Sequence, residues 1–157
     1  MRERTRSLPL RSCLAAALAV GLAASVAAAG SSVRVRVETA NVREGPGTKY
    51  DLLWTVGRDF PLEVIARRGS WLKTRDFLDS EGWIFAPLTA AGPAAIVQVD
   101  EARVRSGPGL SYQVRFLAAW GEAFPVLSHE GEWVEIDHPD HGAALSIRAS
   151  SGLREGG

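Results

Sequence analysis

Cysteine is almost absent from this 157-residue chain, and the single one is Cys13, close to the N-terminus. One cysteine cannot form an internal disulfide, and it does not by itself make a thiolate metal site. An excess of charge is also lacking, because 18 basic side chains balance 18 acidic ones. We therefore expect no nucleic-acid partner, since phosphate contacts would need a basic patch. Hydrophobic residues make up 46% of the chain, which is typical of a globular protein.

The first 29 residues differ in composition from the rest of the chain. Four arginines stand among the first 11 residues, and residues 14–29 form an uncharged run rich in Ala, Leu and Val. Ala27 and Ala29 occupy the small-residue positions that a signal peptidase reads. We predict a signal peptide at 1–29 and hence an exported protein, periplasmic or extracellular. The alternative is an uncleaved anchor, and only in that case do we expect contact with a membrane.

An internal repeat divides the remaining chain. Residues 40–50 (ANVREGPGTKY) return as residues 102–112 (ARVRSGPGLSY), a shift of 62 positions, and the same shift relates the G-x-W runs at 69–71 and 131–133. Between these anchors, aligning Phe60-Pro61 with Phe124-Pro125 requires an insertion of two residues that is later compensated. The predicted parts are a first domain at 33–88, a linker at 89–95, a second domain at 96–150 and a tail at 151–157.

Within each copy the apolar residues recur with a period of two. Residues 33–37 (VRVRV) alternate as a half-buried strand does, and the later apolar runs are short and bounded by Gly, Pro or Asp. We predict an all-β fold of two small β-barrels in tandem, because curling a small sheet limits its open edges. Two such units on a short linker are expected to unfold separately.

The repeated turn has its own signature. Gly45-Pro46-Gly47 and its copy at 107–109 are each followed three residues later by a tyrosine. A glycine after proline in a tight turn often takes a positive φ. We therefore expect Gly47 to be less replaceable than Gly45.

These motifs together resemble the bacterial SH3 domain family. The shared pattern is N-V-R-x-G-P-G-x-x-Y, then G-x-W, then G-W-I, and copy one carries all of it, ending at Gly82-Trp83-Ile84. Copy two carries the pattern up to Trp133 but has Leu145-Ser146-Ile147 near its end. A divergent closing strand, a missing strand and a shifted reading frame all remain open. We expect copy two to be the less stable domain.

The resemblance implies SH3-like barrels that act as binding modules in exported proteins. Their expected partners are cell-wall peptide or glycan, or an envelope protein. Because two domains, a linker and a tail account for the residues after 29, we predict no enzyme and no cofactor. The alternative function is a structural or assembly subunit of an envelope complex that binds no small ligand.

Four residues are candidates for ligand binding. Tyr50 and Tyr112 follow the repeated turns and could stack on a peptide or sugar; alternatively, each ring packs under its own turn. Arg43 and Arg105 alternate with apolar valines and could clamp a ligand carboxylate. Solvated strand charges are the alternative for these arginines.

Other conspicuous side chains are assigned to structure. Trp71, Trp83 and Trp133 lie on strand patterns, so we expect them in the cores. His138 and His141 have the residue type of metal ligands, but Pro139 lies between them and no third ligand is identifiable. We predict no metal site.

Overall fold

The computed structural model describes residues 30–156, so the predicted signal peptide lies outside the described residues. Within 30–156 no helix is long and apolar enough to cross a membrane. The strands of the first sheet are β1 (Ser31–Val35), β2 (Thr39–Arg43), β3 (Leu52–Gly57), β4 (Pro61–Arg68), β5 (Trp71–Arg75), β6 (Glu81–Phe85) and β7 (Thr89–Ala91). Those of the second are β8 (Ala94–Val97), β9 (Glu101–Arg105), β10 (Val114–Ala119), β11 (Ala123–Glu130), β12 (Trp133–His138), β13 (Gly142–Arg148) and β14 (Leu153–Glu155). A 3₁₀ turn precedes the last strand of each sheet, at Ala86–Leu88 and Ala149–Ser151.

The two sheets have one topology. The first runs β3-β2-β6-β5-β4-β1-β7 and the second β10-β9-β13-β12-β11-β8-β14, with every recorded pair antiparallel. The prediction of an all-β chain with two tandem SH3-like units is confirmed.

Each sheet wraps around its own core. In β2 the side chains of Ala40 and Val42 are buried, while Thr39 and Asn41, which alternate with them, are exposed. Buried residues from six strands of the first sheet form one cluster, so the sheet must curve around it. The second core is built in the same way. The buried residues of the first core are Val35, Ala40, Val42, Val56, Leu62, Val64, Leu72 and Ile84.

The strand register corrects the alignment of the two copies. Leu62 pairs with Val33 in the first sheet, and Phe124 pairs with Ala95 in the second. Both positions therefore differ by the plain shift of 62, and the proposed insertion before Phe124-Pro125 is wrong. The alignment had matched the two Phe-Pro pairs by residue type, whereas register is set by which residues face the core.

Strands also occupy the segments predicted as linker and tail. β7 pairs with β1, and β14 pairs with β8, so residues 89–91 and 153–155 belong to the sheets. Pairing covers the open edges of β1 and β8, and Leu153 packs against the second core. The segments predicted as linker and tail thus contain paired strands.

β13 is a divergent closing strand, which is one of the three alternatives that the sequence left open. It pairs with β12, and both Leu145 and Ile147 are buried in the second core. In the first unit, a Cβ on Gly82 would lie 2.3 Å from Cγ1 of Val42 and 3.3 Å from Cη2 of Trp54. The second unit has leucine at this place, and the smaller Phe116 where the first has Trp54. The exchange moves apolar volume from β3 in the first unit to β13 in the second, at two strands that lie on either side of β2 or β9.

β8 is buried on both faces. Ala95 and Val97 point into the second core, so the alternation of a strand turns Ala94 and Ile96 to the opposite face. These two are nevertheless 0% and 2% exposed, and β8 lies against β1 and β4 of the first unit. Ser32 Oγ also donates a 3.0 Å hydrogen bond to the carbonyl oxygen of Gly156. The two units share a packed interface.

Candidate functional site

The first unit has an open groove of about 470 Å³ on the outer side of its barrel. We call it the first groove. Strands β2, β5 and β6, the turn after β2 and the 3₁₀ turn all contribute to its walls. It is lined by Thr39, Asn41, Arg43, Gly47, Thr48, Trp71, Phe85 and Leu88.

The groove opens where two strands part. Arg43 pairs with Trp83, and this is the one recorded pair between β2 and β6. Side chains from the outer faces of both strands line the groove beside this pair. Residues from the separate segments 39–48 and 71–88 therefore meet at one site.

Aromatic side chains dominate the first groove. Leu72 and Thr74 of β5 are buried, so Trp71 and Lys73 lie on the outer face of the strand. The rings of Trp71 and Phe85 pack in a tilted arrangement with centroids 5.5 Å apart, and Phe85 is 37% exposed. Two partly exposed rings beside Leu88 form an apolar wall against which a ligand can pack.

The second unit has an equivalent groove of about 350 Å³, which we call the second groove. Apart from Ala102, its residues occupy positions that line the first groove, and several of them are charged. It is lined by Glu101, Ala102, Arg103, Arg105, Leu110, Trp133, Arg148 and Ser151.

The structure places the predicted tyrosines against their own turns. A Cβ on Gly45 would lie 2.4 Å from Cδ1 of Tyr50, and one on Gly107 would lie 2.5 Å from Cδ1 of Tyr112. Tyr50 does not line the first groove, whereas Tyr112 is 47% exposed and lines a separate pocket of about 270 Å³ beside Trp133. The two tyrosines are therefore not equivalent as candidate ligand contacts.

The same contacts reverse the expectation for the turn glycines. Gly47 is not among the residues with positive φ, and a Cβ there would meet Tyr50 no closer than 3.6 Å. Gly45 is required instead, because the tyrosine ring lies where a side chain would be. The expectation that Gly47 is the less replaceable residue was wrong.

The predicted arginines lie in the grooves but already have hydrogen-bond acceptors. Arg43 Nη1 donates to the carbonyl oxygen of Tyr50 at 2.9 Å. Arg105 Nη1 donates to the carbonyl oxygens of Leu110 and Tyr112, at 3.1 and 2.8 Å. Each arginine thus holds the loop that follows the repeated turn.

Sequence reasoning missed the aromatic walls. Trp71 and Trp133 were expected in the cores, but both are half-buried on outer faces and line the grooves. The alternation of apolar and polar residues could have revealed this, because Leu72 and Val134 face inward and the adjacent Trp71 and Trp133 must then face outward. Phe85 and Leu88 carried no comparable signal.

Trp83 is half-buried, and its equivalent in the second unit is Ser146. Trp83 pairs with Arg43 as Ser146 pairs with Arg105. Ser146 lines the pocket that contains Tyr112, so a small residue stands there in place of the indole.

The histidines pack on aromatic rings. His138 and His141 lie 4.6 Å apart by ring centroid, and both contact Phe116. Nδ1 of His138 accepts a hydrogen bond from the backbone N–H of Asp140 at 3.0 Å. Within residues 30–156 no three His, Cys, Asp or Glu side chains come together as a metal site would need.

Shifted pKa values occur away from both grooves. Burial raises the pKa of Asp59 above its usual value, although the nearby Arg34 and Arg58 act in the opposite direction. Hydrogen bonds from Lys73 and then Arg75 lower the pKa of the exposed Glu81 carboxyl. Asp59 and Glu81 belong to the first unit, and neither of them lines a groove.

Comparison with known families identifies the first unit. The family model for the bacterial SH3 domain matches residues 36–90. The first unit is a bacterial SH3 domain. Over 52 residues the chain is 46% identical to the protein named "Putative N-acetylmuramoyl-L-alanine amidase YrvJ" of Bacillus subtilis. That match takes in 33% of this chain and 10% of the amidase, so it concerns the SH3 part of the chain alone.

Solved structures were also matched at low identity. An NlpC/P60 family protein from Bacillus cereus is 13% identical with a TM-score of 0.37, over 80% of this chain and 56% of that one. NlpC1 from Trichomonas vaginalis is 13% identical with a TM-score of 0.35, over 88% of this chain and 50% of the other. The chain spans about half the length of these proteins.

Proposed function

We propose that the protein is a non-catalytic, exported binding module that recognises cell-envelope material through its SH3-like units. The observation that carries the proposal is the first groove, in which Trp71, Phe85 and Leu88 present an apolar wall within a bacterial SH3 domain. A groove of this kind can hold a peptide or sugar by stacking, while polar groups at its rim set the orientation.

The relative supports a ligand class for this proposal. It is named as an amidase of N-acetylmuramoyl-L-alanine, which is a unit of peptidoglycan, and the match covers 52 residues. We infer peptidoglycan as the material recognised by the first groove. Thr39, Asn41 and Thr48 at its rim offer neutral hydrogen-bonding groups that suit a glycan or peptide backbone.

Retention on purified peptidoglycan tests the proposal. Trp71→Ala should weaken retention by at least about tenfold, because aromatic anchors in binding sites often contribute about 2 kcal/mol or more. Trp120→Ala is the matched control: Trp120 is 62% exposed and lies outside both grooves, so its loss should leave retention unchanged. Circular dichroism establishes that both variants remain folded.

The alternative function makes the opposite prediction. A structural or assembly subunit would not be retained on peptidoglycan and would form a defined oligomer in solution. Sedimentation of the unmodified protein as such an oligomer, without retention, would overturn the binding proposal. Retention that survives Trp71→Ala would place the binding surface elsewhere.

A further inference from the structure

The second groove differs from the first in charge at equivalent positions. The first is lined by one charged side chain, Arg43, and the second by four. The register shows how this arises, because Trp71 pairs with Phe85 in the first unit and Trp133 pairs with Arg148 in the second. The second groove therefore has the guanidinium group of Arg148 where the first has the ring of Phe85, and both grooves have a tryptophan beside it.

Arg103 of β9 and Arg148 of β13 both line the second groove. The one pair recorded between these strands is Ser146 with Arg105, two residues away from each of the two arginines. Both lie on the outer face, because the neighbouring residues Val104 and Ile147 are buried in the core. Two arginine side chains that line one groove create a positive potential that favours an anion.

Hydrogen-bond donors remain unused at this position. Arg148 binds Oε2 of the exposed Glu132 through Nε at 3.1 Å and Nη2 at 2.6 Å, which leaves Nη1 without a partner among residues 30–156. The side chain of Arg103 makes no hydrogen bond or ion pair within the same range, although its backbone belongs to the β9–β10 ladder. Arg105 differs from both, since its Nη1 already holds two backbone carbonyls.

We propose that the second groove binds a carboxylate group between Arg103 and Arg148, with the apolar part of the ligand against Trp133. The planar guanidinium matches the two oxygens of a carboxylate. Glu101 lies two residues from Arg103 on the same face of β9 and disfavours a ligand with many negative charges. The inference concerns the second unit and does not rest on the function proposed for the first.

Nuclear magnetic resonance on the purified, isotopically labelled protein tests this site. The probe, acetyl-alanyl-alanine, is titrated into the protein while the indole N–H signal of Trp133 is followed. The C-terminal amide of the same dipeptide and inorganic phosphate are titrated in separate experiments. The free carboxylate should shift the Trp133 signal, and the amide should not. Arg103→Gln and Arg148→Gln should each weaken the binding of the dipeptide by about tenfold or more, as expected for lost hydrogen bonds to a charged group.

Arg115→Gln is the matched control, because Arg115 is exposed on β10 and lies outside the groove. Unchanged spectra away from the groove show that each variant is folded. The proposal is overturned by absence of a Trp133 shift, by equal affinity for dipeptide and amide, or by full affinity in both groove variants. Tighter binding of phosphate than of the dipeptide overturns the carboxylate assignment. None of these results bears on the Trp71 experiment.

Discussion

At the scale of single residues, the repeated turn depends on one close approach. Tyr50 lies against Gly45, and Tyr112 lies against Gly107, so in each unit the first glycine of Gly-Pro-Gly leaves room for a ring. The tyrosine carbonyl then accepts a hydrogen bond from Arg43 in the first unit and Arg105 in the second. Motif residues that suggested a ligand site therefore build the loop beside it.

Substitution of the two glycines distinguishes packing from backbone conformation. Gly45→Ala should destabilise the protein by about 1–3 kcal/mol, because its Cβ overlaps the Tyr50 ring and the turn must move. Gly47→Ala should change stability far less, since its Cβ has a 3.6 Å contact and φ is not positive. Urea unfolding of the pair provides the measurement. Equal losses for both variants would contradict this account.

At the scale of elements, the closing strand shows how two sequences fill one position. Gly82 sits beneath Trp54 in the first unit, whereas Leu145 in β13 fills the corresponding space in the second. The family motif is lost at β13, but Leu145 and Ile147 are both buried in the second core. The second core is closed by a strand that the motif alone does not reveal.

Leu145→Ala should cost about 2–5 kcal/mol of unfolding free energy, the range for truncating a buried leucine. Leu127→Ala is the control, because Leu127 is 50% exposed on β11 and should contribute little. Denaturant unfolding followed by tryptophan fluorescence measures both. A stability of Leu145→Ala equal to that of the unmodified protein would mean that β13 is not part of the core.

At the scale of the whole molecule, β8 joins the two units rather than separating them. Its residues Ala95 and Val97 serve the second core, while Ala94 and Ile96 are buried on the face towards β1 and β4. Separate unfolding was expected for two units on a free linker. The buried second face of β8 changes that expectation, since exposing it costs free energy whichever unit unfolds first.

We now expect one calorimetric transition for the unmodified protein. Ile96→Ser should separate this transition into two, because it weakens the interface while leaving the inward residues of both cores unchanged. Leu127→Ser, at an exposed position of the same unit, should retain a single transition. Two well-separated transitions in the unmodified protein would show that the interface does not couple the units.

The class and number of the units follow from the sequence. The period of two in residues 33–37 and the Gly-Pro-Gly turns repeated at a shift of 62 positions predicted two all-β units, and the resemblance of the motifs to the bacterial SH3 domain family implied that these units are SH3-like. The tertiary structure set which side chains form the grooves. Trp71 and Phe85 meet through strand register, and so do Trp133 and Arg148. It also decided that β7 and β14 complete the sheets, because a three-residue strand is stabilised by its distant partner and not by its own composition.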